Sequence, residues 1–258
     1  MTRDRAGRFG VGLGLLMAWA SFGKVLWVDG MPYAPYGLDA VPMNAAVVAG
    51  ATLVFLAAFV AFQRRRAEDV ASVVIVLLFA LGTQVMAWQA PPRMGVNGAT
   101  MLPGAALLAW WLARRTVRRG PERERRGIEA ACGIVAACYT VAVVSKLYTS
   151  GPGWASAGNI AMQITTQAHF APEPLHAARL AAAASPTLCA ALGIGTLLIE
   201  GGALLFVVPA ARVPLSVLIV AIHLGISLLM GLHHYDWMFT AVGWALISGT
   251  GRVSANPA

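Results

Sequence analysis

Long apolar runs, separated by short polar connections, recur along the chain at lengths that fit helices crossing a lipid bilayer. A hydrocarbon core of about 30 Å needs roughly 20 helical residues, fewer where the ends are anchored at the headgroups. Eight runs qualify: 9–28, 44–62, 70–88, a short 96–113, 128–147, 186–208, 214–232 and a short 237–248. One stretch breaks the rhythm. "LYTSGPGWASAGNIAMQITTQAHFAPEPLHAARL" (147–180) is too polar to span and too apolar to be a free loop, which predicts interfacial helices and turns capping the outer face. The expected fold is an all-α integral membrane protein of about eight transmembrane helices with interfacial helices on the outer face. A single domain covers 1–258, with no separate soluble domain expected.

Composition agrees with that fold. Of 258 residues, 58% are hydrophobic and 12% charged, more apolar surface than one soluble core hides. The start, "MTRDRAGRFGVGLGLLMAWA", has the basic and apolar regions of a signal peptide. The apolar run continues to Val28, however, which favours an uncleaved first helix. A net charge of +8 would suit nucleic acid if it lay on a solvated basic face, but the arginines stand in clusters between apolar runs. They are topology signals, and no nucleic-acid partner is expected.

With both termini cytoplasmic, the cytoplasmic side holds fifteen of the nineteen Lys and Arg residues. Only Lys24, Arg93, Lys146 and Arg179 are left outside. The "RRTVRRGPERERR" stretch (114–126) then reads as a cytoplasmic charge run in contact with anionic lipid. No internal repeat of the kind many transporters show is evident. Cys132, Cys138 and Cys189 lie in apolar segments without CxxC spacing, so neither a disulfide framework nor a thiol-redox motif is supported.

Every loop that needs a positive charge uses arginine, while the chain's two lysines, Lys24 and Lys146, lie at or inside the outer ends of apolar runs. Arginine does not release its proton at any useful pH. A desolvated lysine does, because burial disfavours the ammonium, so a buried lysine can serve as a base. The simpler role is snorkelling to the headgroups, and Lys24 fits it well. Glu200 and His223 sit inside the sixth and seventh runs, at a depth where ionisable side chains are functional candidates by default. Each also has a structural reading, Glu200 as a packing carboxyl beside "GG" and His223 as a hydrogen-bond partner for a neighbouring helix. His223, Ser227, Met230 and His234 recur at helical spacing, which predicts one stripe, with His223 about 15 Å from His233 along the axis. "HHYDW" (233–237) offers two imidazoles and a carboxylate. Adjacent histidines on a helix point about 100° apart, so no metal is expected there unless the helix breaks.

These residues resemble a known family: the membrane domain of the vitamin K-dependent gamma-carboxylase and its bacterial relatives, the horizontally transferred transmembrane (HTTM) domain. The resemblance covers most of the chain. It rests on Lys146 and Leu147 closing a helix, on Trp154 and Gly158 after them, on "LLIEGGALLF" (197–206), and on "IVAIHLGISLLMGLHHYDWMFTAVGWALIS" (219–248), which is similar to the family's histidine-bearing helix and short final helix. The family's polar stretch after its third helix has no counterpart in "QVMAWQAPPRMGVNG". In the carboxylase the lysine matching Lys146 is understood as the base that deprotonates vitamin K hydroquinone. Oxygenation to an epoxide follows, and carbon dioxide then adds to a glutamate.

The resemblance implies a bacterial membrane enzyme of carboxylase or oxygenase (epoxidase, lyase) type, located in the cytoplasmic membrane. Lys146 and His223 are the expected catalytic residues, as general base and hydrogen-bond partner. Trp154, Glu200, Ser227, His234 and Tyr235 are expected to bind substrate. The implied cofactor is a reduced quinone of the vitamin K hydroquinone type, with no metal. The expected partners are the bilayer, the quinol and a small-molecule or short-peptide substrate, and the oligomeric state stays open. Two other classes remain: a non-catalytic membrane partner for peptide maturation or export, and a small-molecule transporter using Lys24, Glu200 and His223.

Overall fold

A computed structural model of the chain describes residues 2–27, 45–89, 101–118, 120–232 and 234–247. Among them are ten α-helices and no β-strand. The helices are α1 (Arg3–Trp27), α2 (Ala45–Gln63), α3 (Glu68–Gln89), α4 (Met101–Arg115), α5 (Pro121–Ser150), α6 (Ala157–Ala168), α7 (Leu175–Ala183), α8 (Pro186–Gly202), α9 (Arg212–Met230) and α10 (Tyr235–Leu246).

Four helical segments are long and apolar enough to cross a bilayer: Ala46–Gln63, Pro121–Ala155, Pro186–Val207 and Pro209–Met230, whose apolar 18-residue stretches have mean hydropathy of 2.2, 1.9, 1.9 and 2.3. Large aliphatic residues on them, among them Leu53, Val141, Leu198, Val217 and Leu228, are exposed in the isolated chain. Aliphatic surface of this kind, on helices of this length, fits lipid rather than water. The protein is thus all-α and of membrane type. The runs expected as the first, third, fourth and eighth spans are helical too, over 25, 22, 15 and 12 residues. At 12 residues α10 rises only about 18 Å, so alone it does not reach across a core of about 30 Å.

Sequence punctuation sets where these helices begin. Gly120 precedes Pro121, whose missing N–H costs nothing at a first helical position, and Glu122 and Glu124 sit in the first turn where the helix dipole favours them. Ser185 caps α8 by accepting from the Leu188 N–H, again with proline next. Helix α5 therefore starts two turns before the apolar run at 128, and its charged first turns stay available for pairing.

Helices α1 and α10 pack backbone to backbone. A Cβ on Gly10 would lie 2.9 Å from the Gly243 Cα, so only glycines allow this approach. The Arg3 guanidinium donates to the Ala245 carbonyl at 3.3 Å, which puts the start of α1 and the end of α10 at one end of the bundle. That same end carries an ion network. Glu68 accepts from Arg8 at 2.5 Å and from Arg114 at 3.1 Å. Arg114 also reaches Glu124 at 3.3 Å, and Arg123 pairs with Asp69 at 2.9 Å. The 114–126 run is therefore not a uniform lipid-facing charge run. Arg114, Arg123 and Glu124 turn inward and tie α1, α3, α4 and α5 together, while Arg125 and Arg126 pair outside with Glu122. Above the network Trp110, Trp244, Tyr139, Phe55 and Phe206 fill the core, with Trp19 stacked on Phe55 at 4.7 Å.

Candidate functional site

A seven-residue spacing places Tyr139 and Lys146 on one face of α5, and each meets a polar side chain from another helix. Lys146 Nζ forms an ion pair with Glu200 Oε2, from the last turn of α8. Their side chains are 22% and 8% exposed, so Lys146 turns into the protein instead of reaching for headgroups. Trp154 covers the pair. Its ring centre lies 4.8 Å from Lys146 Nζ, a cation–π contact. Trp154 belongs to the 3-10 turn Gly151–Ala155 that ends α5. The turn is held by Asn159 Nδ2 donating to the Trp154 carbonyl at 2.6 Å. It also rests on Gly193 of α8, where a Cβ would stand 2.8 Å from the Ala155 Cα.

Deeper on the same face of α5, the Tyr139 hydroxyl and His223 Nε2 of α9 are 2.7 Å apart and hydrogen-bonded, the donor being set by the histidine tautomer. Both residues are buried. His223 Nδ1 is buried too and has no hydrogen-bond partner among the described residues. The His234 ring lies 6.1 Å from the His223 ring, and Trp237 meets Tyr139 edge-on at 5.0 Å.

The expected single stripe from His223 to His234 is corrected here. His223, Ser227 and Met230 do share a buried face of α9, but the helix stops at Met230. Gly231 follows at φ 64°, a left-handed conformation that glycine adopts without a Cβ clash, and its N–H closes onto the Ser227 carbonyl. His234 reaches His223 because the chain turns back into α10, not because it rides the same helix. The 15 Å separation from His233 along one axis does not apply, and His233 itself lies outside the described residues.

The structure thus brings Lys146, Glu200 and Trp154 into one cluster, and His223 and His234 into a second, with Tyr139 joining the two along α5. Ser227 and Tyr235 stand elsewhere. They line a cleft of about 470 Å³ between α6, α7, α9 and the start of α10, and Lys146 and His223 are not among its lining residues. The Ser227 hydroxyl is already engaged, donating to the Leu232 carbonyl at 3.1 Å. The Lys24 side chain lies outside the described residues. Among the described residues no three His, Cys, Asp or Glu side chains group as metal ligands would.

Sequence reasoning gave three residues no part in the site. Tyr139 was detectable from its spacing to Lys146. Arg179, one of four cations expected on the outer side, is buried against backbone carbonyls. Asp236 is buried at the start of α10 with Oδ2 unpartnered among the described residues. Nothing in its "HHYDW" setting distinguishes it from a surface carboxylate.

The contact between Lys146 and Glu200 is a hydrogen-bonded ion pair. Moving one proton along its hydrogen bond converts ammonium and carboxylate into amine and carboxylic acid without changing the net charge of the pair. Compared with protein-family models, with curated proteins and with solved structures, the chain has no significant match.

Proposed function

We propose that the protein is a bacterial integral-membrane enzyme of the gamma-carboxylase-like type that removes a proton from a lipid-soluble quinol. It sits in the cytoplasmic membrane with about eight transmembrane helices and keeps both termini in the cytoplasm. The observation that carries this reading is the ion pair of Lys146 and Glu200 beneath Trp154. A lysine that needed only to anchor a helix would extend to the headgroups. This one is paired inside the protein with a group able to take its proton.

In its amine form Lys146 accepts the proton of a substrate hydroxyl, and the ammonium it becomes then neutralises the oxyanion beside it. Glu200 takes and returns the lysine's proton. His223, oriented by Tyr139, offers Nδ1 to a second oxygen of the substrate. A hydroquinone suits these groups, with two acidic hydroxyls on an apolar ring and solubility in the bilayer. When bound and deprotonated, it supplies the reaction with dioxygen.

The test uses the full-length protein in membranes, supplied with a reduced naphthoquinone under air, with hydroquinone loss and epoxide formation followed chromatographically. Lys146→Arg is expected to express and fold normally yet be as inactive as Lys146→Ala, because a guanidinium does not act as a base. Lys24→Arg serves as the mild control. A Lys146→Arg protein with wild-type turnover, or a wild-type protein with no turnover above Lys146→Ala, overturns the proposal.

A further inference from the structure

Arg179 of α7 is only 5% exposed. Its guanidinium donates from Nε to the Leu228 carbonyl at 2.7 Å, from Nη1 to the Gln167 carbonyl at 2.9 Å and from Nη2 to the Ser227 carbonyl at 3.4 Å. Carbonyl oxygens satisfy N–H groups but do not cancel a full charge, and a buried charge without an opposite partner is costly. Among the described residues no Asp or Glu pairs with Arg179, although carboxylates meet the buried Arg8 and the partly buried Arg114 at the other end of the bundle. Three of the five N–H groups of an arginine are placed on these carbonyls, which leaves two.

Arg179 also lines the 470 Å³ cleft described above. The volume lies within the range of about 300–1,000 Å³ usual for small-molecule pockets. Gln167 adds a polar group, and Phe170, Leu224 and Leu228 make apolar walls. Leu224 and Leu228 are one turn apart on α9 and exposed on its outer surface, so the cleft continues along the helix toward lipid. A buried, permanently charged fork at one end and an aliphatic track at the other match a molecule that is acidic at its head and apolar along its length.

We propose that this cleft binds the carboxylate or phosphate head of an anionic amphiphile, with Arg179 as the anchor and α9 as the bed for the tail. The site stands apart from the Lys146–Glu200 pair and does not depend on its proton chemistry.

The experiment measures saturable binding of radiolabelled dodecanoate to the purified full-length protein by scintillation proximity in a neutral detergent. Dodecyl phosphate is expected to compete, whereas dodecanol and inorganic phosphate at the same concentration are not. Arg179→Gln is expected to weaken binding roughly tenfold or more, the usual worth of a hydrogen bond to a charged group, and Arg179→Lys less. Ala171→Trp fills the cleft wall while leaving the arginine and its carbonyls in place, and is expected to abolish saturable binding. Equal competition by dodecanol overturns the anionic head, and equal competition by inorganic phosphate overturns the amphiphile. If Arg179→Gln does not fold, Ala171→Trp decides, and wild-type affinity in that folded variant overturns the site. None of these readouts involves hydroquinone turnover, so failure here leaves the Lys146 chemistry untouched, and the reverse holds as well.

Discussion

Replacing Glu68 by alanine tests the ion network that fastens the charged end of the bundle. Glu68 is 15% exposed and holds two guanidinium groups that are themselves nearly buried, Arg8 at 10% and Arg114 at 12%. Removing one member of a buried ion pair costs about 3–5 kcal/mol, because the partner charge stays buried without compensation. Here each arginine retains a second carboxylate, Glu124 at 3.8 Å from Arg8 and at 3.3 Å from Arg114. The loss should therefore fall at the low end, about 3 kcal/mol, equivalent to a fall in Tm on the order of 10 °C. A thiol-reactive fluorophore provides the assay, since Cys132 and Cys189 are fully buried and react only as the fold opens. Glu122→Ala is the matched control. Glu122 pairs with Arg125 at 2.7 Å and Arg126 at 2.8 Å, but all three side chains are solvated, so its loss should leave the melting curve unchanged. A Glu68→Ala protein that melts with the wild type, or a Glu122→Ala shift of equal size, would refute the idea that burial rather than pairing gives the network its strength.

Tyr139→Phe leaves His223 Nε2 buried without its partner, which should cost about 1–3 kcal/mol in thermal stability. It should also lower hydroquinone turnover, and the loss should overlap with that of His223→Phe in the double variant; full additivity would show that the two residues act independently. For topology, a cysteine at Thr116 in a background without the three native cysteines should react with a membrane-impermeant maleimide only after cells are opened. Labelling in intact cells would place the α4–α5 connection on the wrong side.

Apolar run length made the helices legible because a spanning helix must be apolar over a length that the bilayer itself dictates. Runs 44–62 and 186–208 accordingly coincide with α2 and with α8 plus its following turn. What run length does not report is which charged residues turn inward. Arg114, Arg123 and Glu124 lie in the same string as Arg125 and Arg126, and only the register of α5 against α3 and α4 separates the inward-turned set from the solvated one. Lys146 stood out because it is one of two lysines in a chain that otherwise uses arginine. Glu200 stood out by its depth, yet their pairing crosses 54 residues, and no local pattern encodes that distance. His234 shows the opposite failure. Helical spacing put it in the right neighbourhood for the wrong reason, since Gly231 ends the helix that the spacing assumed.

Lys146, partly buried on α5, and Arg179, buried on α7, show why the chain distinguishes its basic residues so sharply. Arg179 meets three carbonyls with a rigid fork and stays charged whatever its surroundings, which suits a fastener and a fixed anion anchor. Lys146 meets one carboxylate with a single mobile ammonium, which suits a group that gives up its proton and takes another. Exchanging the two chemistries should therefore fail in different ways. A lysine at 179 keeps the charge but loses the fork, so fewer of the three carbonyls stay satisfied and the ends of α6, α7 and α9 loosen. An arginine at 146 keeps the ion pair with Glu200 and the stacking on Trp154, so the fold survives while the capacity to act as a base disappears. The first substitution is a packing and affinity defect visible without substrate, and the second is a chemical defect visible only with it.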